Sequence, residues 1–258
     1  MFELVKWYLD LVTDEGTTVI AYSAAGRLGA IAFRYASVLH APPGEVPQES
    51  SAISGVLAPA EADGRFAWSH PRLQVGGTWS TLGPTLHQSL LQTPRGDVDW
   101  RCIAPHARAE MRLGGQRLAG VGYAECLRLT LAPWHLPFRK LSWGRYASGA
   151  HALVWILWQD GMERRWIWLD GTAQPAARLT AEGVTGLDGG GSLAFGPSRV
   201  LRDRQVIGAV GRSLPGALRR RLGPLAGMEE HKCVAESTLS LPEGRTERGW
   251  AIHEEVRW

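Results

Sequence analysis

Along the 258-residue chain, apolar positions recur with period two, or as short wholly apolar runs, every eight to twelve residues, while stretches with a 3.6-residue period are scarce. Successive strand side chains face opposite sides, so this pattern predicts an all-β protein. In the first half the expected strands are Leu4–Val12, Thr17–Ser23, Leu28–Val38, Ser51–Leu57, Arg72–Val75, Thr78–Leu82, Thr85–Gln92, Val98–Ala104, Ala107–Leu113 and Gly122–Leu131. Pro133 and Pro137 then remove two ladder donors within five residues and bias Ala132 and Leu136 away from helical geometry. The rhythm resumes with Leu141–Ala147, Ala152–Trp158, Arg164–Leu169, Ala177–Leu179, Val184–Leu187, Ser192–Phe195, Ser198–Val206, Glu230–Leu241 and Arg248–Trp258. One short helix is expected at Pro215–Leu222, with proline suited to its first turn.

Asp14-Glu15-Gly16, Asp63-Gly64, Asp160-Gly161, Asp170-Gly171 and Asp188-Gly189 separate apolar runs, where Asp and Gly tolerate positive φ, so hairpins dominate the connectivity. Closure removes the edges that so many strands would expose. The chain is therefore expected to form two antiparallel β-barrel domains, 1–132 and 141–258, joined by a proline-rich connection at 133–140.

Composition adds an unusual quantity of indole, 12 Trp against 5 Phe and 5 Tyr, in a chain that is 45% hydrophobic and 21% charged. Disorder is excluded. Cys102, Cys126 and Cys233 lack zinc-ribbon or disulfide-framework spacing, which suits a reducing compartment. The amino terminus lacks signal-peptide features, and no run is long enough for a membrane-spanning helix. The expected location is the cytoplasm. Net charge is only +3, yet Arg199–Arg221 concentrates seven arginines against one aspartate. Its helix would present Arg219, Arg220 and Arg221 beside Leu218 and Leu222. Arg212–Leu222 is thus either a solvated arginine surface or a peripheral contact to the inner membrane face. Stacking aromatics are missing from this segment, so nucleic acid is not an expected partner.

Phosphate loops, serine-esterase elbows and paired-histidine zinc motifs do not occur, and the eight His are dispersed. No cofactor or metal is expected. The distinctive chemistry begins at Gly120-Val-Gly-Tyr123-Ala-Glu125. Strand parity puts Tyr123 and Glu125 on one face and Ala124, Cys126 and Arg128 on the other. A carboxyl among apolar neighbours gains proton affinity by desolvation and suits a general acid. Alternatively Glu125 pairs with Arg145 or Arg128 as scaffold. Trp143 and Arg145 share a face, with Gly144 between them; Tyr146, Trp155 and Trp158 follow, the last two on opposite faces. Such aromatics line either an apolar-ligand pocket or an ordinary core.

Three patches resemble one family: Tyr8 and Asp10 in the stretch beginning at Trp7; Gly120-x-Gly-Tyr123 followed by Trp143-Gly-Arg145; and the terminal strand from Gly249 to Glu254. They are similar to the AttH and carotenoid 1,2-hydratase (hydroxyneurosporene synthase) group. Where many members carry Asp-His-Asn, this chain has Glu125, Cys126 and Leu127, keeping an acid without the His and Asn. Asp160 stands near the position of a later family acid but lies in a Gln-Asp-Gly turn. The resemblance implies two lipocalin-like (calycin) β domains and proton-initiated hydration or cyclisation of an isoprenoid or carotenoid-type C=C bond. On that reading Glu125, Tyr123 and Arg145 are the catalytic candidates. Trp143, Trp155, Trp158, Tyr146, Trp7 and Tyr8 are the substrate-binding candidates, and the partner is a hydrophobic small molecule. The competing expectation is a non-catalytic carrier of a pigment or lipid.

Overall fold

The computed structural model describes residues 1–62, 65–205 and 227–257. They divide into two compact units, Met1–Leu136 and residues 137–205 with 227–257. Each is built on one antiparallel sheet, which bears out the all-β expectation.

The first unit contains β1 (Phe2–Val12), β2 (Thr18–Leu28), β3 (Ile31–Ala41), β4 (Gln48–Ala52), β5 (Ala60–Ala62), β6 (Arg65–His70), β7 (Val75–Thr81), β8 (Leu86–Thr93), β9 (Gly96–Leu113) and β10 (Gln116–Leu129). Their order is β4-β3-β2-β1-β10-β9-β7-β6-β5, with β8 pairing only β9. One face carries the core: Leu9 and Leu11, Val19 and Ala21, Phe66 and Trp68, Trp79, Met111 and Leu118 are each at most 9% exposed. Burial of such side chains supplies about 1.5–3 kcal/mol apiece and fixes the register, since a one-residue slip would turn them all to the other side.

Two expected strands, Val98–Ala104 and Ala107–Leu113, are one continuous β9 that changes partner. Its first part pairs with β8 and its second with β7. At the changeover Pro105 and His106 stand opposite the single residue Tyr123, and Ile103 is extra opposite the Ala124–Glu125 step. Pro105 has no N–H to give, and a bulge accommodates it without breaking the strand. The expected strand Arg72–Val75 is instead a 3-10 turn, Pro71–Leu73, closed by Gln74 at φ 49°. Ser51–Leu57 is strand only to Ala52. β6 was not anticipated, although its Phe66, Trp68 and His70 alternate strictly inward.

The second unit contains β11 (Lys140–Ala147), β12 (Ala152–Gln159), β13 (Arg164–Leu169), β14 (Thr172–Ala173), β15 (Arg178–Leu179), β16 (Gly183–Leu187), β17 (Gly191–Gln205), β18 (Glu229–Ser240) and β19 (Thr246–Arg257). The order is β14-β13-β12-β11-β19-β18-β17-β16-β15. Tyr146, Leu153, Trp155, Ile167, Leu193, Leu239 and Ala251 form its core on one face. Asp160 and Asp170 adopt φ 59° and 49° in the turns after β12 and β13, the role their Asp-Gly pairs predict.

The expected helix Pro215–Leu222, the turn at Asp63-Gly64 and the segment Arg212–Leu222 lie outside the described residues. Among the described residues no helix is long and apolar enough to cross a membrane.

Candidate functional site

On β1 and β10 the register aligns Tyr8 with Glu125 and Asp10 with Tyr123. Side chains aligned in an antiparallel pair point the same way, so all four lie on the face of the first sheet opposite its core. β2 adds Tyr22, aligned with Tyr8. On β9, Cys102 is aligned with Glu125 and Trp100 is two residues away. The double irregularity of β9 brings these two to the site side while Ile103 and Ala104 remain with the core.

Glu125 is held tightly. Its Oε2 accepts the Tyr123 hydroxyl at 2.6 Å and the Trp100 Nε1–H at 2.5 Å. The residue is 8% exposed, Tyr123 and Asp10 are fully buried, and Tyr8 is 2% exposed. The Tyr8 ring meets Tyr22 edge to face at 5.3 Å and Tyr123 at 5.9 Å, giving an aromatic wall beside the acid. Burial, with the Cys102 and Glu125 charges beside it, holds the Tyr123 phenol well above its ordinary pKa. Burial likewise pushes up the Cys102 thiol, with Glu125 and Asp10 adding to the effect. Tyr123 is therefore a neutral donor throughout the physiological range.

The Gly-x-Gly motif has a local cause. A Cβ on Gly122 would lie 2.8 Å from Trp79 Cδ1 and 2.9 Å from the Asp10 carbonyl, where Trp79 donates its indole N–H at 2.7 Å. This packing pins β1, β7 and β10 together beneath Asp10 and Tyr123. Cys126 faces the core side, away from Glu125, and burial pushes its thiol up to about 11. Arg128 pairs with Glu3 at 3.5 Å rather than with Glu125. Trp7 packs on Phe66 at 5.3 Å on the core face, so of the first unit's candidates Tyr8, Tyr123 and Glu125 come together and Trp7 does not.

In the second unit Trp143, Arg145 and Trp158 share the face away from the core. Trp143 and Arg145 are two apart on β11, and Trp158 is aligned with Leu141. Arg145 is fully buried and donates to the Trp250 carbonyl at 2.8 Å. Tyr146 and Trp155 belong to the core face, where the Tyr146 hydroxyl donates to the Glu247 carbonyl at 3.1 Å. Gly144 is what lets Trp155 lie flat against β11, since a Cβ there would come within 2.2 Å of the indole. Beside Trp143 the register also places Lys232 against Glu254. Lys232 is fully buried, bonds Glu254 and lies 3.2 Å from Glu230, which takes both oxygens to Arg202 at 3.0 and 3.2 Å.

Sequence reasoning did not single out Trp100, Cys102, Tyr22 or the Lys232 network as site residues, and it named Asp10 only within the family resemblance. Asp10 was available from parity with Tyr8. The others depend on pairing between strands far apart in sequence, which alternation alone does not reveal.

No family model matches the chain, and no curated protein matches its sequence. The fold does match solved structures. CghA with Sch210972 superposes with a TM-score of 0.62 at 14% identity, covering 99% of this chain and 88% of that one. A candidate AttH from Nitrosomonas europaea gives 0.55 at 13% identity, covering 99% and 91%. Kievitone hydratase from Nectria haematococca gives 0.51 at 10% identity, covering 98% and 88%. The chain thus has the all-β, lipocalin-like fold of these proteins.

Proposed function

We propose that this protein is a hydratase or cyclase acting on a C=C bond of a hydrophobic, isoprenoid-type substrate, with Glu125 as the proton donor. The observation that carries the reading is the Glu125 carboxyl, buried on the non-core face of the sheet and held through one oxygen by Tyr123 and Trp100. Two donors on Oε2 orient the carboxyl, which carries the transferable proton. Transfer of that proton to one alkene carbon breaks the O–H bond and leaves a carbocation on the other carbon and a carboxylate on Glu125. The faces of Tyr8, Tyr22 and Tyr123 stabilise the cation. Capture by water, or by a second double bond, forms the new bond. The proton then lost from the oxonium or ring cation returns to Glu125, so the net change is addition of one water or isomerisation to a ring.

That two of the structural neighbours are named as a hydratase and as a protein crystallised with Sch210972 supports the class of reaction. The test uses neurosporene and lycopene in detergent micelles, analysed by mass spectrometry after incubation with the full chain. The expected result is a product heavier by one water, or of unchanged mass and altered retention, whose formation is abolished by Glu125→Gln. Wild-type turnover by Glu125→Gln would overturn the assignment. A polyene that co-purifies with the protein and is never converted would instead establish the carrier reading.

A further inference from the structure

The same non-core face of the first sheet has a second feature, separate from Glu125. Register runs one row across five strands in which every side chain but Glu110 is small: Ala60 on β5, Ala67 on β6, Thr78 on β7, then Glu110 on β9 and Ala119 on β10. The next row is Ser69, Gly76, Arg112 and Arg117. The missing side-chain bulk leaves an open trough of about 660 Å3, bounded by Leu57 at one end and by the two arginines at the other. That volume lies within the roughly 300–1,000 Å3 of small-molecule sites.

The arginines are the unusual element. Arg112 and Arg117 stand directly opposite each other beside the Gly114–Gly115 turn, in an alignment that places like charges side by side. Such a pair is unfavourable in a sheet. Among the described residues neither takes part in an ion pair; Glu110, two residues before Arg112, is the one acid lining the trough and also makes none. Two planar guanidinium forks side by side match the geometry of an oxyanion. Leu57, 67% exposed, offers apolar surface where the far end of a bound chain would lie.

We propose that the trough binds a free long-chain amphiphile with an anionic head. Its carboxylate bridges Arg112 and Arg117, and its hydrocarbon chain runs along the adjoining row over Gly76 and Ser69 toward Leu57. Ala119 is six residues along β10 from Glu125, about 20 Å at strand rise, so this site does not depend on the catalytic reading.

The experiment titrates cis-parinaric acid into the full-length protein and follows its fluorescence. Saturable binding is expected. Arg112→Glu with Arg117→Glu should weaken it at least tenfold, as should replacing the acid by its methyl ester. Ala119→Phe, which fills the trough and leaves the charge intact, should weaken it comparably. All three positions are exposed, and near-ultraviolet dichroism checks that the variants remain folded. Glu125→Gln should leave parinarate affinity within twofold of wild type. A loss confined to Glu125→Gln would move the ligand to the other site and overturn the proposal. Unsaturable binding, or affinity indifferent to the arginines, would do the same. Vesicles of phosphatidylserine supply the alternative source of an anionic head: arginine-dependent sedimentation with them, in a protein that does not bind free parinarate, would also overturn it.

Discussion

The Tyr123 hydroxyl donates to Glu125 Oε2 from two residues away on the same strand, with a separation of 2.6 Å. This geometry is possible because both side chains share one face of β10. A hydrogen bond of this kind to a buried neutral carboxyl contributes about 0.5–1.5 kcal/mol. Tyr123→Phe should lower unfolding stability by that amount in urea denaturation while preserving the fold. It should also lower kcat more than it changes KM, because the loosened carboxyl is misplaced for proton transfer rather than for binding. A stability change indistinguishable from zero would mean that the hydroxyl exchanges this partner for water without loss.

The contact between Gly144 and Trp155 gives a second expectation. The two are aligned across β11 and β12, and the indole occupies the space where any Cβ at 144 would lie. Gly144→Ala should therefore destabilise the protein by about 1–3 kcal/mol, the usual cost of overpacking a core. Gly144→Ala combined with Trp155→Leu should recover part of the loss. A neutral Gly144→Ala would show that Trp155 is held more loosely than its complete burial implies.

That contact also marks how far the sequence could be read. Parity correctly separated Trp155 from Trp158, and Trp143 from Gly144, because alternation within one strand is local. Whether Trp155 lines a pocket or fills a core depends on which face packs inward, and the apolar run of β12 is buried on both sides. Pattern has nothing to distinguish there. The fold was legible from strand rhythm and Asp-Gly turns, and the burial of Glu125 from its place between Ala124 and Cys126. The Trp100 bond to Glu125 was not legible: it requires the β9 bulge, and Pro105 signalled an interruption that the structure absorbs within a single strand.

Alkaline pH should expose the buried phenols. Burial pushes Tyr146 up to about 12, with the Glu247 charge adding to it, against an ordinary value of 10 in the unfolded chain. The unfolded chain ionises first, so the native state holds more protons above pH 10, and stability falls there as pH rises. The contribution of Tyr146 is whole below pH 10 and is lost between about 10 and 12. Tyr146→Phe should lower stability near neutrality through the lost bond to Glu247, about 1 kcal/mol, yet flatten the decline across that alkaline interval. Urea midpoints measured through it for both proteins would check the slope. Equal slopes would mean that Tyr146 ionises in the folded protein as readily as in the unfolded one. Tyr123 and Cys102, also raised by burial, keep some slope in either protein.

The Lys232 network offers the largest expected effect. A fully buried ammonium bonds Glu254 and lies 3.2 Å from Glu230, and its ring neighbour is Trp143 at 5.9 Å. Removing one member of such a group leaves the others charged in a medium that solvates them poorly, a loss of about 3–5 kcal/mol. Lys232→Met, close in length and apolar, should show that loss in urea denaturation. Glu230 keeps Arg202, whose Nη1 donates to both of its oxygens, so the carboxylate most exposed to the change is Glu254. Lys232→Met with Glu254→Leu should therefore be more stable than Lys232→Met alone, and the two changes should be strongly non-additive in a double-mutant cycle. Additive effects, or a single-variant loss below about 1 kcal/mol, the range of solvent-exposed pairs, would mean that water reaches these charges despite their burial.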